Sequence, residues 1–266
     1  MNKKTPIINF EKYSTKDLKT MAEAGLEVVE CHRVLAKTGD NIVRELLPKE
    51  ETFYQFDHCP PGDIIDYDSH SQFYYHAHRE GEHGHFHIFM REKGMPKDCR
   101  PAKQSKVEPI EEREDKICHL VAISMDRYGI PIRLFTVNRW VTGENWYNAR
   151  DVYAMVERFQ IDQTKPSWVV NRWVTALLWL FRPQIRELLE ERDAVIAKWK
   201  KKYPGKDVFE DRDLGLPSMI EISIDDQNQA LLRELTRRHE KTTQTQKRKP
   251  IKRTKGSQKQ RAASRA

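Results

Sequence analysis

Half of the ten histidines in this chain fall within one stretch of thirteen residues, Tyr75 to His87. They form two groups in which every second residue is histidine, and a connection containing Gly81 separates the groups. The first group is His76 and His78, and the second is His83, His85 and His87. A period of two residues is typical of β-strands and places each group on one strand face. Because a short connection with glycine favours a hairpin, the stretch predicts a β-hairpin with imidazoles on one face.

Two registers of this hairpin are compatible with the sequence. In the first, His78 lies opposite His83 and His76 lies opposite His85; in the second, His78 lies opposite His85 and His76 lies opposite His87. Directly opposed Cβ atoms in antiparallel strands are about 4.5–5.5 Å apart. Either register therefore brings most of these imidazoles together on one face, whereas a slip by one residue would turn one group to the other face.

Clustered imidazoles are well suited to binding a transition metal. Neutral histidine is the commonest metal ligand, and a cluster without a metal is disfavoured by repulsion once its members are protonated. We therefore predict a divalent transition metal as cofactor, with iron, manganese, zinc, nickel and copper all compatible. The candidate ligands are His76, His78, His85, His87 and His119. The alternative is a polar hairpin whose histidines are solvated or hydrogen-bonded to tyrosine and aspartate.

A metal at this hairpin would polarise a substrate or activate water or dioxygen, so a metal-dependent enzyme is the first functional hypothesis. Glu82 and His83 are the candidate acid/base residues. Arg133 and Arg139 are the candidate binding residues for an anionic group of a small-molecule substrate, whose identity is open. A non-catalytic protein that binds a metal or a polyanion is an alternative.

Two motifs of known families overlap in this stretch. The pattern His76-x-His78-x3-Glu82 is similar to the metal-ligand motif of the cupin barrel. That resemblance implies metal ligation by these three residues, completed by His87 or His119.

The second motif, His83-Gly84-His85-Phe86-His87, is similar to the histidine triad of nucleotide-binding phosphoramidate hydrolases and transferases. The middle histidine is the nucleophile in that family, so the resemblance implies this role for His85. It adds nucleotidyl or phosphoryl transfer without a metal to the alternative functions.

A longer resemblance covers most of residues 20–225. It includes the segments Phe53 to Arg91, His119 to Gly129, Asn138 to Glu144 and Arg182 to Ile185. In these segments the chain resembles an uncharacterised bacterial family of unknown function. The resemblance implies a bacterial, intracellular protein with a single domain, and it implies no activity.

The elements around the histidines predict an α+β fold. A capping box at Ser14 to Asp17 precedes apolar residues at helical spacing, and residues 117–137 predict a second hairpin. A tryptophan-rich helix follows, and Pro183 should kink or divide it. Residues 219–224 alternate and predict an edge strand. The expected architecture is a central antiparallel sheet of β-hairpins, flanked by N-terminal and C-terminal helices.

The net charge of +7 arises at the C-terminus, because residues 241–266 contain ten Lys or Arg and no Asp or Glu. This segment is predicted to be a disordered tail that makes weak, non-specific contact with nucleic acid or only aids solubility. The single domain is predicted to span residues 1–240, with an exposed charged loop at 91–116. The longest apolar run, 173–181, is too short to cross a membrane, so we expect a cytoplasmic protein without membrane contact.

Overall fold

In the part of the chain that the structure describes, one six-stranded antiparallel sheet has its strands side by side in chain order. The computed structural model describes residues 8–47, 57–102 and 116–247. The strands are β1 (Cys59–Ile65), β2 (Ser71–His76), β3 (Gly84–Arg91), β4 (Ile117–Met125), β5 (Pro131–Thr136) and β6 (Ser218–Glu221). The predicted hairpins are β2–β3 and β4–β5, and the predicted edge strand is β6, which pairs with β5.

Helices from both ends of the chain flank this sheet. Those in the described residues are α1 (Thr15–Ala36), α2 (Arg139–Thr142), α3 (Ala149–Val156), α4 (Trp168–Leu180), α5 (Arg182–Lys202) and α6 (Ile224–Lys247). The predicted capping box begins α1, because the side chains of Ser14 and Asp17 each accept the backbone N–H of the other. Pro183 lies in the first turn of α5 and divides it from α4. The α+β prediction is confirmed.

The two faces of the sheet have different surroundings. One face forms the main hydrophobic core with α1 and α4, where the ring of Phe86 lies 5.4 Å from that of the buried Trp173. Because successive strand residues alternate, the neighbours of Phe86 point to the opposite side. We call that side the histidine face, since it carries His76, His85 and His87.

The histidine hairpin adopts the first of the two predicted registers. His76 pairs with His85, and Tyr74 pairs with His87. The first strand, β2, ends at His76, two residues earlier than the predicted end near residue 78, whereas β3 begins at Gly84, close to its predicted start near residue 85. The connection therefore consists of residues 77–83, and the two remaining histidines of the stretch lie in this loop.

A β-bulge in β4 determines the direction of His119. The pairing of β3 with β4 shifts after Ile88, so that Ile88 pairs with Val121 but Phe89 pairs with His119. The extra residue, Leu120, belongs to the main core together with Val121. Regular alternation would turn His119 toward that core, whereas the bulge places it on the histidine face.

Two predicted segments lie partly outside the described residues. Helix α6 extends to Lys247 and includes the first part of the segment predicted as a disordered tail, because neither proline nor glycine interrupts residues 224–247. Residues 248–266 lie outside the described residues, as do residues 103–115 of the predicted charged loop. Met95 and Cys99, near the start of that loop, are buried. None of the described helices has the length and apolar character needed to span a membrane.

Candidate metal centre

Three imidazole nitrogens meet on the histidine face. The Nε2 atom of His85 lies 2.8 Å from the Nε2 atom of His76 and 3.1 Å from that of His87. All three residues are buried, and their candidate ligand atoms lie within 4.8 Å of one another. In a tetrahedral zinc site with Zn–N bonds of about 2.0–2.1 Å, the ligand nitrogens are roughly 3.3 Å apart. The observed spacing therefore fits one metal ion after small outward movements of the rings.

Strand pairing and aromatic packing hold these rings together. His76 and His85 are directly opposed across β2 and β3, and His87 follows two residues along the same face. The ring of Phe135 lies 5.3 Å from that of His85, and the ring of Tyr74 lies 5.2 Å from those of His76 and His87. Aromatic side chains on both sides limit the access of water and the movement of the imidazoles.

Burial favours the neutral form of His76 and His87. Burial, followed by the neighbouring His85, His78 and His58, lowers the pKa of His76 to about 3. Burial also holds the pKa of His87 well below the ordinary histidine value, with His119 the next contribution. The neutral imidazole is the form that binds metals, because one of its nitrogens carries a free lone pair. His76 and His87 are therefore in their metal-binding protonation state at neutral pH.

Glu82 orients His85 from the loop. Its Oε1 atom lies 2.5 Å from the Nδ1 atom of His85, and its side chain has no exposed surface. Burial acts to raise the pKa of Glu82, but contacts with His85 and Ser124 and the charge of Arg79 outweigh burial and lower the pKa. The ionised carboxylate accepts the Nδ1–H of His85, which leaves Nε2 as the nitrogen with the free lone pair.

His119 contacts the outer side of His87. Its Nε2 atom lies 2.9 Å from the Nδ1 atom of His87, so it is a partner of a candidate ligand and lies outside the group of three Nε2 atoms. Burial, followed by the charge of Arg192, lowers the pKa of His119 to about 3. The backbone N–H of His119 donates to the buried carboxyl group of Glu144. Burial raises the pKa of Glu144 to about 8, so this group is largely protonated at neutral pH.

The two loop histidines lie in different environments. The ring of His78 is 4.7 Å from that of His76 and 5.0 Å from that of His85, which places His78 at the rim of the cluster. His83 is exposed, and its Nδ1 atom lies 2.7 Å from the hydroxyl oxygen of Tyr75, a residue of the main core. His83 would share the histidine face only if its strand extended to it; β3 begins at Gly84, and Tyr75 binds His83 on the other side.

Gly84 makes the contact between Tyr75 and His83 sterically feasible. A Cβ atom at Gly84 would lie 2.4 Å from the hydroxyl oxygen of Tyr75 and 2.6 Å from the carbonyl oxygen of His76. Both distances are far shorter than a van der Waals contact, so a larger residue does not fit without displacing the Tyr75 ring. Packing therefore requires a glycine at position 84.

The arginines predicted to bind substrate occupy two different places. Arg133 lies on β5 opposite Ser124, on the histidine face. Arg139 is buried, and its guanidinium donates to the carboxylate of Glu210 and to the backbone carbonyl of Glu144. Arg139 therefore connects separate segments of the chain. A cavity adjoins the histidine cluster, and neither Arg133 nor Arg139 lines it.

Arg79 is the arginine beside the cluster, and the sequence pattern did not single it out. It lines a cavity of about 160 Å³ together with His85 and other residues. Its Nη1 atom lies 3.8 Å from the Oε2 atom of Glu82, and its guanidinium lies 4.6 Å from the centre of the Phe135 ring. The sequence feature that could have indicated Arg79 as a site residue is its position directly after His78 in the hairpin connection.

The fold and the site define an α+β protein with a buried three-histidine cluster that could hold a metal ion. The chain belongs to the family described as a domain of unknown function, DUF6969, whose model matches residues 22–222. No curated protein and no solved structure matches the chain. The prediction of an uncharacterised family is confirmed.

These comparisons support neither the cupin nor the histidine-triad resemblance. The cupin ligand set would bring Glu82 together with His76 and His78. The carboxylate of Glu82 instead contacts the Nδ1 atom of His85, on the far side of that ring from the three Nε2 atoms.

Proposed function

We propose that this protein is a metal-dependent enzyme whose divalent transition metal is bound by the Nε2 atoms of His76, His85 and His87. The convergence of these three buried atoms carries the proposal. The contacts of Glu82 and His119 with the Nδ1 atoms of His85 and His87 support it, because metal-binding histidines generally use their second nitrogen in such a hydrogen bond.

Hydrogen bonding alone accounts for this cluster less well than a metal does. Because Glu82 accepts the Nδ1–H of His85, the Nε2 atom of His85 is an acceptor with one lone pair. Two other Nε2 atoms, those of His76 and His87, lie within hydrogen-bond distance of it. One lone pair does not satisfy two donors, whereas a metal ion would use the lone pairs of all three nitrogens.

The number of ligands and the adjoining cavity support catalysis over metal storage. Catalytic zinc sites typically have three protein ligands and an open position, whereas structural sites are closed by four. The cavity borders His85 and His87, so a substrate there would lie next to the metal. A bound metal would supply Lewis acidity or lower the pKa of a bound water molecule. Imidazole ligands suit zinc, iron, nickel and copper, with manganese the least favoured of the predicted set.

The acid/base role is better suited to His78 than to the two residues chosen from the sequence. The carboxylate of Glu82 is fully buried and in contact with His85, so we assign it the role of orienting that ring. His83 is directed to Tyr75. His78 lines the cavity, and burial followed by the neighbouring His85 lowers its pKa. A neutral His78 can accept a proton from a substrate or from metal-bound water.

Metal analysis of the purified, untagged protein tests this proposal. The wild-type protein, reconstituted in turn with each of the five metals, should retain at least one at near-stoichiometric amounts by elemental mass spectrometry. The double substitution His76→Ala/His85→Ala should lose that metal. His239→Ala is the matched control, because His239 is exposed on α6, and circular dichroism checks the fold of both variants. Failure of the wild-type protein to bind any of the five metals would refute the proposal.

Nucleotidyl or phosphoryl transfer at His85 is the second candidate function. The contact with Glu82 favours it, because a carboxylate on Nδ1 also activates the Nε2 of a histidine nucleophile. The Nε2 atom of His85 lies between the rings of His76 and His87, and a phosphorus atom would have to approach Nε2 from the side that these rings occupy. This position makes the transfer function less favourable. A covalent adduct on His85 in metal-free protein, detected by mass spectrometry, would establish this alternative.

The basic C-terminal segment supports a separate proposal. Residues 241–266 carry ten positive charges without a negative one, which suits weak, non-specific contact with nucleic acid in the cytoplasm. Removal of residues 241–266 should abolish retention on DNA at low salt and leave metal content unchanged. Retention of the truncated protein would exclude the segment as the binding element.

A further inference from the structure

The cavity beside the histidine cluster has two chemically different sides. Its apolar side consists of Phe135, Val137, Trp140, Val141 and Leu216. The side chains of His78, Arg79, His85 and His87 form its polar side. Its volume of about 160 Å³ is similar to that of an engineered cavity of about 150 Å³ that binds benzene. A ligand of this cavity is therefore small, with one ring or a short chain, and largely apolar.

Arg79 provides the permanent charge of this cavity. The other lining residues in the described part of the chain are apolar residues, a glycine and imidazoles. The Nη1 atom of Arg79 is buried and has no hydrogen-bond partner among the described residues. The Oε2 atom of Glu82 lies 3.8 Å away, which is an ion-pair distance but too long for a hydrogen bond. The Oε2 atom of Glu82 is likewise buried without a hydrogen-bond partner, so this loop leaves one donor and one acceptor unsatisfied beside the cavity. A ligand carboxylate in the cavity would supply an acceptor for the N–H group of Arg79.

The number of charges determines which anion fits. The guanidinium already shares its positive charge with the carboxylate of Glu82, so it accommodates at most one further negative charge and not the double charge of a phosphate monoester. The guanidinium is held over the ring of Phe135, at 4.6 Å from its centre, and so is preorganised beside the apolar wall. A carboxylate attached to an apolar group matches both the charge and the wall.

We infer that the substrate of this site is a small organic monocarboxylate, whose carboxylate accepts hydrogen bonds from Arg79 and whose apolar part lies against Phe135 and Trp140. The inference rests on the proposed function for its chemistry, since a metal held by the three histidines would act on the part of the ligand next to His85. The recognition of the carboxylate requires only Arg79 and the cavity.

Binding of matched acids and amides tests the inference. The probes are para-fluorobenzoate and trifluorobutyrate, each with its neutral amide, titrated into metal-free and metal-loaded protein and followed by fluorine NMR. At least one acid should bind about tenfold or more tightly than its amide, as expected for charge-assisted hydrogen bonds. Equal affinity of each acid and its amide, or no binding of either acid, would overturn the inference.

Three variants locate the binding. Arg79→Met should abolish the preference for the acid, and Arg79→Lys should retain part of it. Gly215→Val adds bulk at a cavity position where a Cβ atom would lie 3.4 Å from the Trp140 ring, so it should weaken acid and amide by the same factor. Arg127→Met is the control for a lost positive charge, because Arg127 is exposed at the β4–β5 turn. An unchanged preference in Arg79→Met would place the binding elsewhere and refute the inference.

Metal content, measured on the same samples, separates the two proposals. Acid preference in a protein that binds no metal would retain the carboxylate site and refute the metal-dependent enzyme. Near-stoichiometric metal without acid preference would retain the metal centre and refute the carboxylate site. The two failures are therefore distinguishable.

Discussion

Replacement of Glu82 by glutamine should weaken metal binding with little change in shape. In the wild-type protein the carboxylate lies 2.5 Å from the Nδ1 atom of His85, and both side chains are buried. The glutamine carbonyl can still accept the Nδ1–H, but without a full negative charge it makes the ring a weaker ligand. Loss of such a partner typically lowers metal affinity about 10–100-fold, which corresponds to about 1.4–2.8 kcal/mol.

Arg79 moves the expected effect toward the upper end of that range. Its guanidinium lies 3.8 Å from the second carboxylate oxygen of Glu82, so the substitution leaves a positive charge without its ion-pair partner. That charge would then oppose a metal cation on the neighbouring imidazoles, because the low dielectric of a buried site weakens screening.

Competition with a chromophoric chelator measures the change in affinity for zinc or cobalt at constant pH and salt. Glu80→Gln is the control, because Glu80 lies in the same loop, carries the same charge and is exposed. This control should stay within about twofold of the wild-type affinity, as expected for surface charges. Wild-type affinity in a correctly folded Glu82→Gln variant would refute the role of Glu82 and weaken the case for Nε2 of His85 as a ligand.

Three further predictions concern stability, measured as urea midpoints of metal-free protein. The pKa values of His76 and His119, about 3, lie below those of the unfolded chain, so stability is lost as pH falls from about 6.5 toward 3. His119→Gln should reduce the slope of unfolding free energy against pH by about 1.4 kcal/mol per pH unit. A slope equal to that of the wild type would contradict the pKa of His119. Glu144, with a pKa raised to about 8, acts in the opposite direction, because its stabilising contribution is lost as pH rises from about 4.5 through 8. The stability of Glu144→Gln relative to the wild type should therefore increase over this pH range, and parallel plots of stability against pH would exclude the effect. Gly84→Ala should lower stability by about 1–3 kcal/mol because its Cβ atom would lie 2.4 Å from the hydroxyl oxygen of Tyr75, whereas Gly205→Ala, with no atom within 4 Å, is the control and should match the wild type.

The fold class and the shared face of the histidines were predictable because their signals are local, whereas the sequence left two hairpin registers open. Alternation of residues along β2 and β3 defines which side chains share a face, and a slip by one residue would bury the wrong set. Pro183 likewise divides two helices through the geometry of its own ring. The length of the loop was less predictable, because the strands end where Gly84 and Tyr75 pack against each other, and that contact depends on the folded core.

The outer part of the site was not predictable because it depends on irregular backbone. His119 reaches the histidine face only through the bulge at Leu120, which no local pattern indicates. His83 follows the alternating pattern in the sequence, yet it is drawn to the other side by Tyr75. Arg79 looks like an ordinary turn residue until the loop folds over Phe135.

The regular and irregular parts of the backbone therefore have separate tasks in this site. Paired strands supply the three candidate ligands, so their mutual positions follow from the register of β2 and β3. The loop 77–83 supplies both Glu82, which contacts a ligand, and Arg79, which lines the cavity, and these two residues form an ion pair at 3.8 Å. A carboxylate bound to Arg79 would weaken the ion pair between Arg79 and Glu82. The carboxylate of Glu82 would then direct more negative charge to His85. A bound carboxylate should therefore raise the affinity for the metal, and a bound metal should raise the affinity for the carboxylate by the same factor, because coupling between two binding equilibria is reciprocal.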